Sequence, residues 1–301
     1  DNVWCQLYEL GYRNMNFDDQ FYLPYGTGEK DKKQIDVFAK DGDTIIIVEC
    51  KSSAKPKPSH SLKTEFEGLE KRLGGFKKSI TALYGKGFKI KFIYATRQLR
   101  IDPDGVDIER LKESNGFYYN DNTYEYINSL IKNYKDAALF QFLGILFRGE
   151  AISHDFIEVP AVEGWMGTKK YYMFSIQPQK LLKIGFVLHR TRANESEMPT
   201  YQRLLVPSRL KGISKFINDG GYFPNSIIVN FSHNAHKKAK FEAHPKVGSS
   251  RAKFGILKIP NSYAIAYIID GQHRVYGYAG TKFSENNTIP VVAFTDLESV
   301  E

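Results

Sequence analysis

The chain has 301 residues, 42% of them hydrophobic and 25% charged, which is ample for two ordinary domains and too apolar for a disordered polymer. No apolar run approaches the ~18 residues of a membrane span, so a helical membrane protein is excluded. Cys5 and Cys50 are the only cysteines, which excludes a disulfide scaffold and fits a reducing, cytoplasmic setting, and a formal charge of +8 favours a polyanionic partner such as nucleic acid.

The chain opens on Asp1 with no apolar signal region after it, so a start that lies upstream or a processed end is expected. Apolar residues at helical spacing in VWCQLYELGYRNMN predict a short helix stopping at Gly11. Strands are predicted at QFYLPY, QIDVFAK and TIIIVECK, followed by a Lys/Pro/Ser loop, SSAKPKPSH. SLKTEFEGLEKRLGGFKKSITALYG reads as a helix weakened or broken at Gly74-Gly75, and FKIKFIYAT as a strand. DIERLKES and TYEYINSLIKNYKDAALFQFLGILF read as helices. This order predicts a compact α/β domain over 1–135, a connecting segment over 136–165, and a second, α+β domain over 166–301. In the second domain YYMFSIQPQKLLKIGFV is a strand leading into a helix, and TYQRLLVPSRLKGISKFINDGGYFPNSIIVNF a helix ended by Gly220-Gly221 and followed by a strand. YAIAYIIDGQHRVYGYAG and TIPVVAF supply a strand, a tight turn, a helix and a last strand.

Asp41-Gly42 is a hairpin signal between QIDVFAK and TIIIVECK. A symmetric loop centred there sets Phe38 opposite Ile45 and Asp36 opposite Ile47. Residues two apart on a strand share a face, so Asp36, Ile47, Glu49 and Lys51 point the same way, with Asp36 and Glu49 as diagonal neighbours roughly 7 Å apart. Cys50 faces the opposite layer. Two carboxylates at that separation suit Mg²⁺ or Mn²⁺, which polarise a phosphodiester and acidify a bound water, and Lys51 beside them can orient that water or balance charge on the phosphate. An edge salt bridge from Lys51 to Asp36 or Glu49 is the plainer reading of the same residues.

The helix with LYELGY, the strand with Asp36, and VECK supplying Glu49, Cys50 and Lys51 resemble the PD-(D/E)XK nuclease superfamily, especially its Mrr-like restriction members. The resemblance covers residues 1 to about 135 and implies a restriction-endonuclease-like fold, in which Asp36 and Glu49 bind metal and Lys51 assists hydrolysis. Some members carry a further metal-linked acid on the first helix. Glu9 is the candidate for it, a surface glutamate being the alternative. Many members carry a Gln on the helix after the lysine, and here none occurs between Lys51 and the next strand. Lys55 and Lys57 in the following loop, near His60, are candidate DNA-phosphate contacts, with a solvated loop as the alternative.

In YAIAYIIDGQHRVYGYAG an apolar strand meets Asp270, Gly271 allows the turn, and Gln272, His273 and Arg274 open the helix. Unpaired N–H groups and the helix dipole favour an anion there, and Arg274 adds a bidentate donor. Asp270 as N-cap with Arg274 in an ordinary ion pair is the structural alternative. DGQHR matches the signature of the DGQHR-domain family, which includes DndB-like proteins of DNA phosphorothioation systems, and TYQRLLVPSRLKGISKFI, GYFPNSIIVNF and IPVVAF resemble the segments around it. That family is similar to the ParB/sulfiredoxin-like fold. The resemblance implies nucleotide or nucleic-acid binding at Asp270, Gly271, Gln272, His273 and Arg274, with Tyr201, Gln202 and Arg203 as secondary candidates. The C-terminal part of the family domain is expected to be incomplete. SHNAHKKAKFEAHPK, with His233, His236 and His244, matches no zinc spacing and reads as a basic surface loop.

Together these readings predict a metal-dependent DNA endonuclease of a prokaryotic defence system, whose DGQHR domain binds nucleotide or DNA and controls cleavage. A nucleoside triphosphate is a candidate second cofactor, and its hydrolysis a candidate further activity. Double-stranded DNA is the expected partner, with other defence-system proteins and further copies of the chain as candidates. The alternatives are a DNA-binding regulator that does not cleave, and a nucleotide hydrolase whose first domain only grips DNA.

Overall fold

A computed structural model describes residues 2–18, 20–59, 61–102, 104–188, 204–249, 251–295 and 297. The chain is a mixed α/β protein of two compact units, Asp1–Asn128 and Ser129–Glu301. Among the described residues no helix is long and apolar enough to cross a membrane.

The first unit runs α1 (Asn2–Leu10), β1 (Asn14–Met15), β2 (Tyr22–Pro24), β3 (Lys32–Gln34), β4 (Val37–Asp41), β5 (Thr44–Pro58), α2 (Lys63–Tyr84), β6 (Lys89–Arg100), α3 (Val106–Glu113) and β7 (Gly116–Tyr119). Its last helix, α4 (Asp121–Tyr134), holds the division between the units. One sheet has the order β1-β4-β5-β6-β7, antiparallel from β1 through β5 and parallel from β5 through β7. β2 and β3 pair separately as a two-stranded ribbon. Ile45, Ile47, Phe92 and Tyr94 on one sheet face pack with Phe66, Leu69, Phe76 and Ile80 of α2, and this is the unit's core.

Three features of this unit depart from the sequence expectations. The hairpin loop is Gly42-Asp43, not Asp41-Gly42, because Asp41 pairs with Thr44 and Gly42 takes the positive φ of 50°. The register therefore moves by two residues: Phe38 faces Ile47 instead of Ile45. A two-residue shift preserves the face of every side chain.

The expected Lys/Pro/Ser loop is instead the outer half of β5, which stays paired with β6 through a register shift between Ser52 and Lys57. Prolines survive there because β4 covers β5 only as far as Val48, so the outer half has a ladder on one side alone.

α2 runs unbroken through Gly74-Gly75. A side chain on Gly75 would collide with the backbone carbonyl of Tyr25, so that glycine lets the β2 end approach the helix. Ser79 Oγ donates to the Pro24 carbonyl at 2.8 Å in the same contact.

In the second unit a 3-10 turn (Lys135–Ala137) leads to α5 (Ala138–Leu146), β8 (Ala151–Met166), β9 (Lys169–Ile176), α6 (Pro178–Ile184), β10 (Gly185–Phe186), α7 (Pro207–Asn218), β11 (Ile227–Phe231) and α8 (His233–Lys238). The unit ends with β12 (Lys240–Gly248), β13 (Ala252–Ser262), β14 (Ala266–Asp270), α9 (Gln272–Tyr276) and β15 (Ile289–Phe294). These strands make one sheet of order β10-β14-β11-β15-β9-β8-β13-β12. Tyr172, Phe174 and Ile176 alternate with the exposed Met173 and Ser175, so β9 buries one face only.

The segment expected to connect two domains over 136–165 is itself structured, carrying α5 and most of β8. The segment expected as a basic loop is α8 and the edge strand β12. β12 is exposed along nearly its whole length, which erased the apolar alternation by which a strand is recognised.

Candidate functional site

β5 carries Ile45, Ile47 and Glu49 onto the α2 face, and there the apolar run ends in charge. Glu49 is buried, and its carboxylate is held by two ammonium groups. Lys51 Nζ lies 3.1 Å from Oε1, and Lys33 of β3 contacts Oε2. Lys51 also stands 3.6 Å from Oε1 of Glu65 in the first turn of α2, whose Oε2 accepts from Tyr94 Oη at 3.2 Å. Burial tends to lower the Lys51 pKa. The hydrogen bond to Glu49, with the charges of Glu49, Glu65 and Asp36, outweighs it and holds the ammonium above its ordinary range.

Asp36 precedes β4 and is exposed; continuing the ladder by one residue would set it opposite Glu49. Its Oδ2 accepts from the Cys50 backbone N–H at 2.7 Å. Asn16 fixes the backbone on either side, accepting from Phe38 N at 2.9 Å and donating to the Asp36 carbonyl at 3.2 Å. The structure thus brings Glu49 and Lys51 into contact and seats Asp36 one peptide away, beside Cys50. Cys50 points to the other side of the sheet, where it lines a cavity of about 560 Å³ with Val3, Tyr119 and Tyr124, and burial together with the Asp36 charge pushes its thiol pKa up to about 11. Glu9 is exposed on α1. Lys55 and Lys57 are exposed on the outer half of β5.

Among the described residues no three His, Cys, Asp or Glu side chains converge on one point. A divalent ion here would rest on Asp36 and Glu49 and complete its shell with water or phosphate, which is how Mg²⁺ is commonly held. The donor chemistry fits such an ion: both groups are carboxylates, and each keeps lone pairs beyond those already engaged.

Lys33, Glu65, Tyr94 and Asn16 were missed by sequence reasoning. Glu65 carried a usable signal, being the acid in the first turn of the helix that follows Lys51. Lys33 carried none, because it arrives from a separate ribbon.

At the second motif β14 ends on Asp270, and Gly271 adopts a left-handed φ of 92° as the residue preceding α9. A side chain on Gly271 would also meet Ile227 Cδ1 at 2.6 Å. Asp270 does not cap the helix. It accepts from Arg274 Nη2 at 2.9 Å, while Arg274 Nη1 donates to the Asn225 carbonyl at 2.6 Å. The guanidinium therefore ties β14, α9 and the segment before β11 together. His273 Nε2 accepts from Val206 N at 3.3 Å, and burial, with the nearby Arg209, lowers its pKa. The Gln272 side-chain carbonyl oxygen is buried and has no partner among the described residues. Tyr201, Gln202 and Arg203 lie outside the described residues.

Residues 159–300 match the DndB family, described as DNA-sulfur modification-associated. The match spans the second half of β8 and the strands after it together with the DGQHR motif, and it links this part of the chain to DNA-sulfur modification systems. No curated protein and no solved structure matches the chain.

Proposed function

We propose that the chain is a metal-dependent deoxyribonuclease of a DNA-sulfur modification or restriction system, with a PD-(D/E)XK-like first unit and a DndB-like second unit that tunes cleavage to bound nucleotide or DNA. The observation that carries this reading is the contact between Lys51 and Glu49 at the end of β5, beside Asp36. Its support is topological as well. The order helix, three strands, helix, strand expected from the sequence is met by α1, β2, β4, β5, α2 and β6, although β2 lies in a separate ribbon and β1 takes the place beside β4.

In this reading Asp36 and Glu49 hold Mg²⁺ or Mn²⁺, which when bound polarises the phosphodiester and acidifies a water. Lys51 works as a fixed cation. Held above its ordinary pKa by Glu49, it keeps its proton at neutral pH, so it stabilises negative charge on the phosphate and orients a water through a donated hydrogen bond. Glu65 steadies Lys51 from the helix side. Asn16 fixes the backbone from which Asp36 projects.

A second reading, a DNA-binding regulator without cleavage, is favoured by one observation: the Glu49 carboxylate is already matched by Lys33 and Lys51. Plasmid cleavage with Mg²⁺, Mn²⁺ or EDTA separates the two, run on phosphorothioated and unmodified DNA with and without each nucleoside triphosphate. Cleavage that needs metal and disappears in Glu49→Ala supports the nuclease. Duplex binding without cleavage under every condition supports the regulator.

A further inference from the structure

The second unit ends in an arm that the nuclease reading does not use. β8 and β9 turn at Gly167-Thr168, and β12 and β13 turn beside them, since Ala252 and Lys253 of β13 pair with Gly164 and Glu163 of β8. Two hairpin tips therefore lie side by side at one end of the sheet. Lys246, Arg251 and Lys253 are exposed there and make no ion pair among the described residues. The acids nearby are engaged by other lysines, two of them sharing one. Glu163 is 3.3 Å from Lys170, and Glu158 and Glu242 lie 3.4 and 2.9 Å from Lys258.

Large apolar side chains stand in solvent at the same two tips: Trp165 at 45% and Met166 at 54% exposure on the β8–β9 hairpin, beside the cations, and Val247 and Phe254 on the β12–β13 hairpin among them. Exposed cations without an ion pair among the described residues, beside exposed apolar side chains, have no role in the unit's own core.

We propose that this double-hairpin arm is a DNA-contacting surface, with Lys246, Arg251 and Lys253 on the phosphates and Trp165, which shares the sheet face of Lys253, against a groove. A two-stranded β-ribbon fits the major groove, and apolar wedges flanked by cations are used against the minor groove. Charge complementarity commits the surface to duplex DNA. The inference rests on the proposed DNA partner but on no residue of the first unit, so the arm serves equally in a nuclease and in a regulator.

The test is fluorescence anisotropy of the full chain with a labelled duplex of about 30 base pairs over a salt series, comparing wild type with Lys246→Ala/Arg251→Ala/Lys253→Ala. The variant is expected to bind about tenfold or more weakly, with a salt dependence shallower by roughly two to three ions, since each neutralised phosphate contributes about 0.9 to the slope. Lys246→Arg/Lys253→Arg should bind as wild type, and unchanged melting temperatures show that the fold is intact. Trp4 and Trp165 are the only tryptophans, so a DNA-induced emission change present in wild type and absent in Trp165→Phe locates the contact. Wild-type affinity and slope in the triple variant overturn the arm and leave the DNA reading standing. Failure of the wild-type chain to bind duplex overturns both, and binding to phosphatidylserine vesicles in its place assigns the arm to a lipid surface.

Discussion

Lys33 and Glu49 come from different sheets, one from the two-stranded ribbon and one from β5, and their ion pair closes the polar end of the apolar face that packs on α2. Only 29% of the Lys33 side chain and 11% of that of Glu49 are exposed, so the pair is better shielded than a surface bridge. The ammonium occupies one oxygen of a carboxylate proposed to hold a divalent ion. Metal and Lys33 therefore compete. Lys33→Met should bind Mn²⁺ more tightly than wild type, by about 1 kcal/mol or roughly fivefold. Isothermal titration and the loss of the free-ion electron paramagnetic resonance signal read this without any cleavage. Equal or weaker affinity in the variant removes Glu49 from the metal site.

The raised pKa of Lys51 sets its chemistry. Burial lowers it, but the Glu49 hydrogen bond and the surrounding carboxylates win, so the ammonium persists above the ordinary 10.5. A group shifted this way adds stability that is fully present below its unfolded pKa and is lost as pH rises through the folded value. In the metal-free chain Lys51 should accordingly stay protonated from about pH 7 to 10, read from its side-chain methylene resonances. Lys51→Ala should abolish cleavage with the fold intact, and Lys51→Arg should retain part of it because the charge remains. A cleavage rate that rises with pH through an alkaline midpoint in wild type, and does not rise in Lys51→Arg, would show the lysine acting as a base.

Gly74 and Gly75 are neighbours on α2 with opposite demands. A Cβ on Gly74 meets nothing within 4 Å, whereas one on Gly75 runs into the Tyr25 backbone. Gly74→Ala should stabilise the unit by about 0.5–1 kcal/mol through helix propensity. Gly75→Ala should destabilise it by about 1–3 kcal/mol, because a backbone carbonyl cannot move aside as a side chain does. Chemical denaturation of the two variants gives both signs, and a destabilised Gly74→Ala would contradict the packing described here.

Legibility in the sequence followed the range of the signal. α1 ending at Gly11 and the face shared by Glu49 and Lys51 rest on local periodicity, and both stand in the structure. The outer half of β5 and the edge strand β12 were read as loops, because proline, lysine and exposure on both faces erase the alternation while a neighbouring strand still supplies hydrogen bonds. Lys33 and Asn16 reach the first site through tertiary contacts that no spacing encodes. At the second motif the structural alternative stands in part: Arg274 makes an ion pair, with Asp270, but Asp270 does not cap the helix. The Arg274 guanidinium is engaged by Asp270 and the Asn225 carbonyl, a partner 49 residues away.

His273 gives the second unit a pH signature. Its Nε2 accepts from the Val206 N–H at the entry to α7, which requires that nitrogen to be unprotonated, and burial with the positive Arg209 of the same helix disfavours the charged ring. The folded pKa therefore lies below the ordinary 6.5. For a base shifted downward, the unfolded chain binds the proton more readily. The stability gained from neutral His273 is complete above the unfolded value and disappears as pH falls through the folded one. The melting temperature of the chain should thus fall between about pH 7 and 5, and the fall should be smaller in His273→Gln, whose amide oxygen can still accept from Val206 while carrying no proton equilibrium. Arg209→Gln should move the midpoint of His273, followed by its ring proton resonances, upward toward 6.5. A His273 midpoint at or above 6.5 in the wild-type chain would mean that the ring is charged near neutrality and that the Val206 contact is not made in solution.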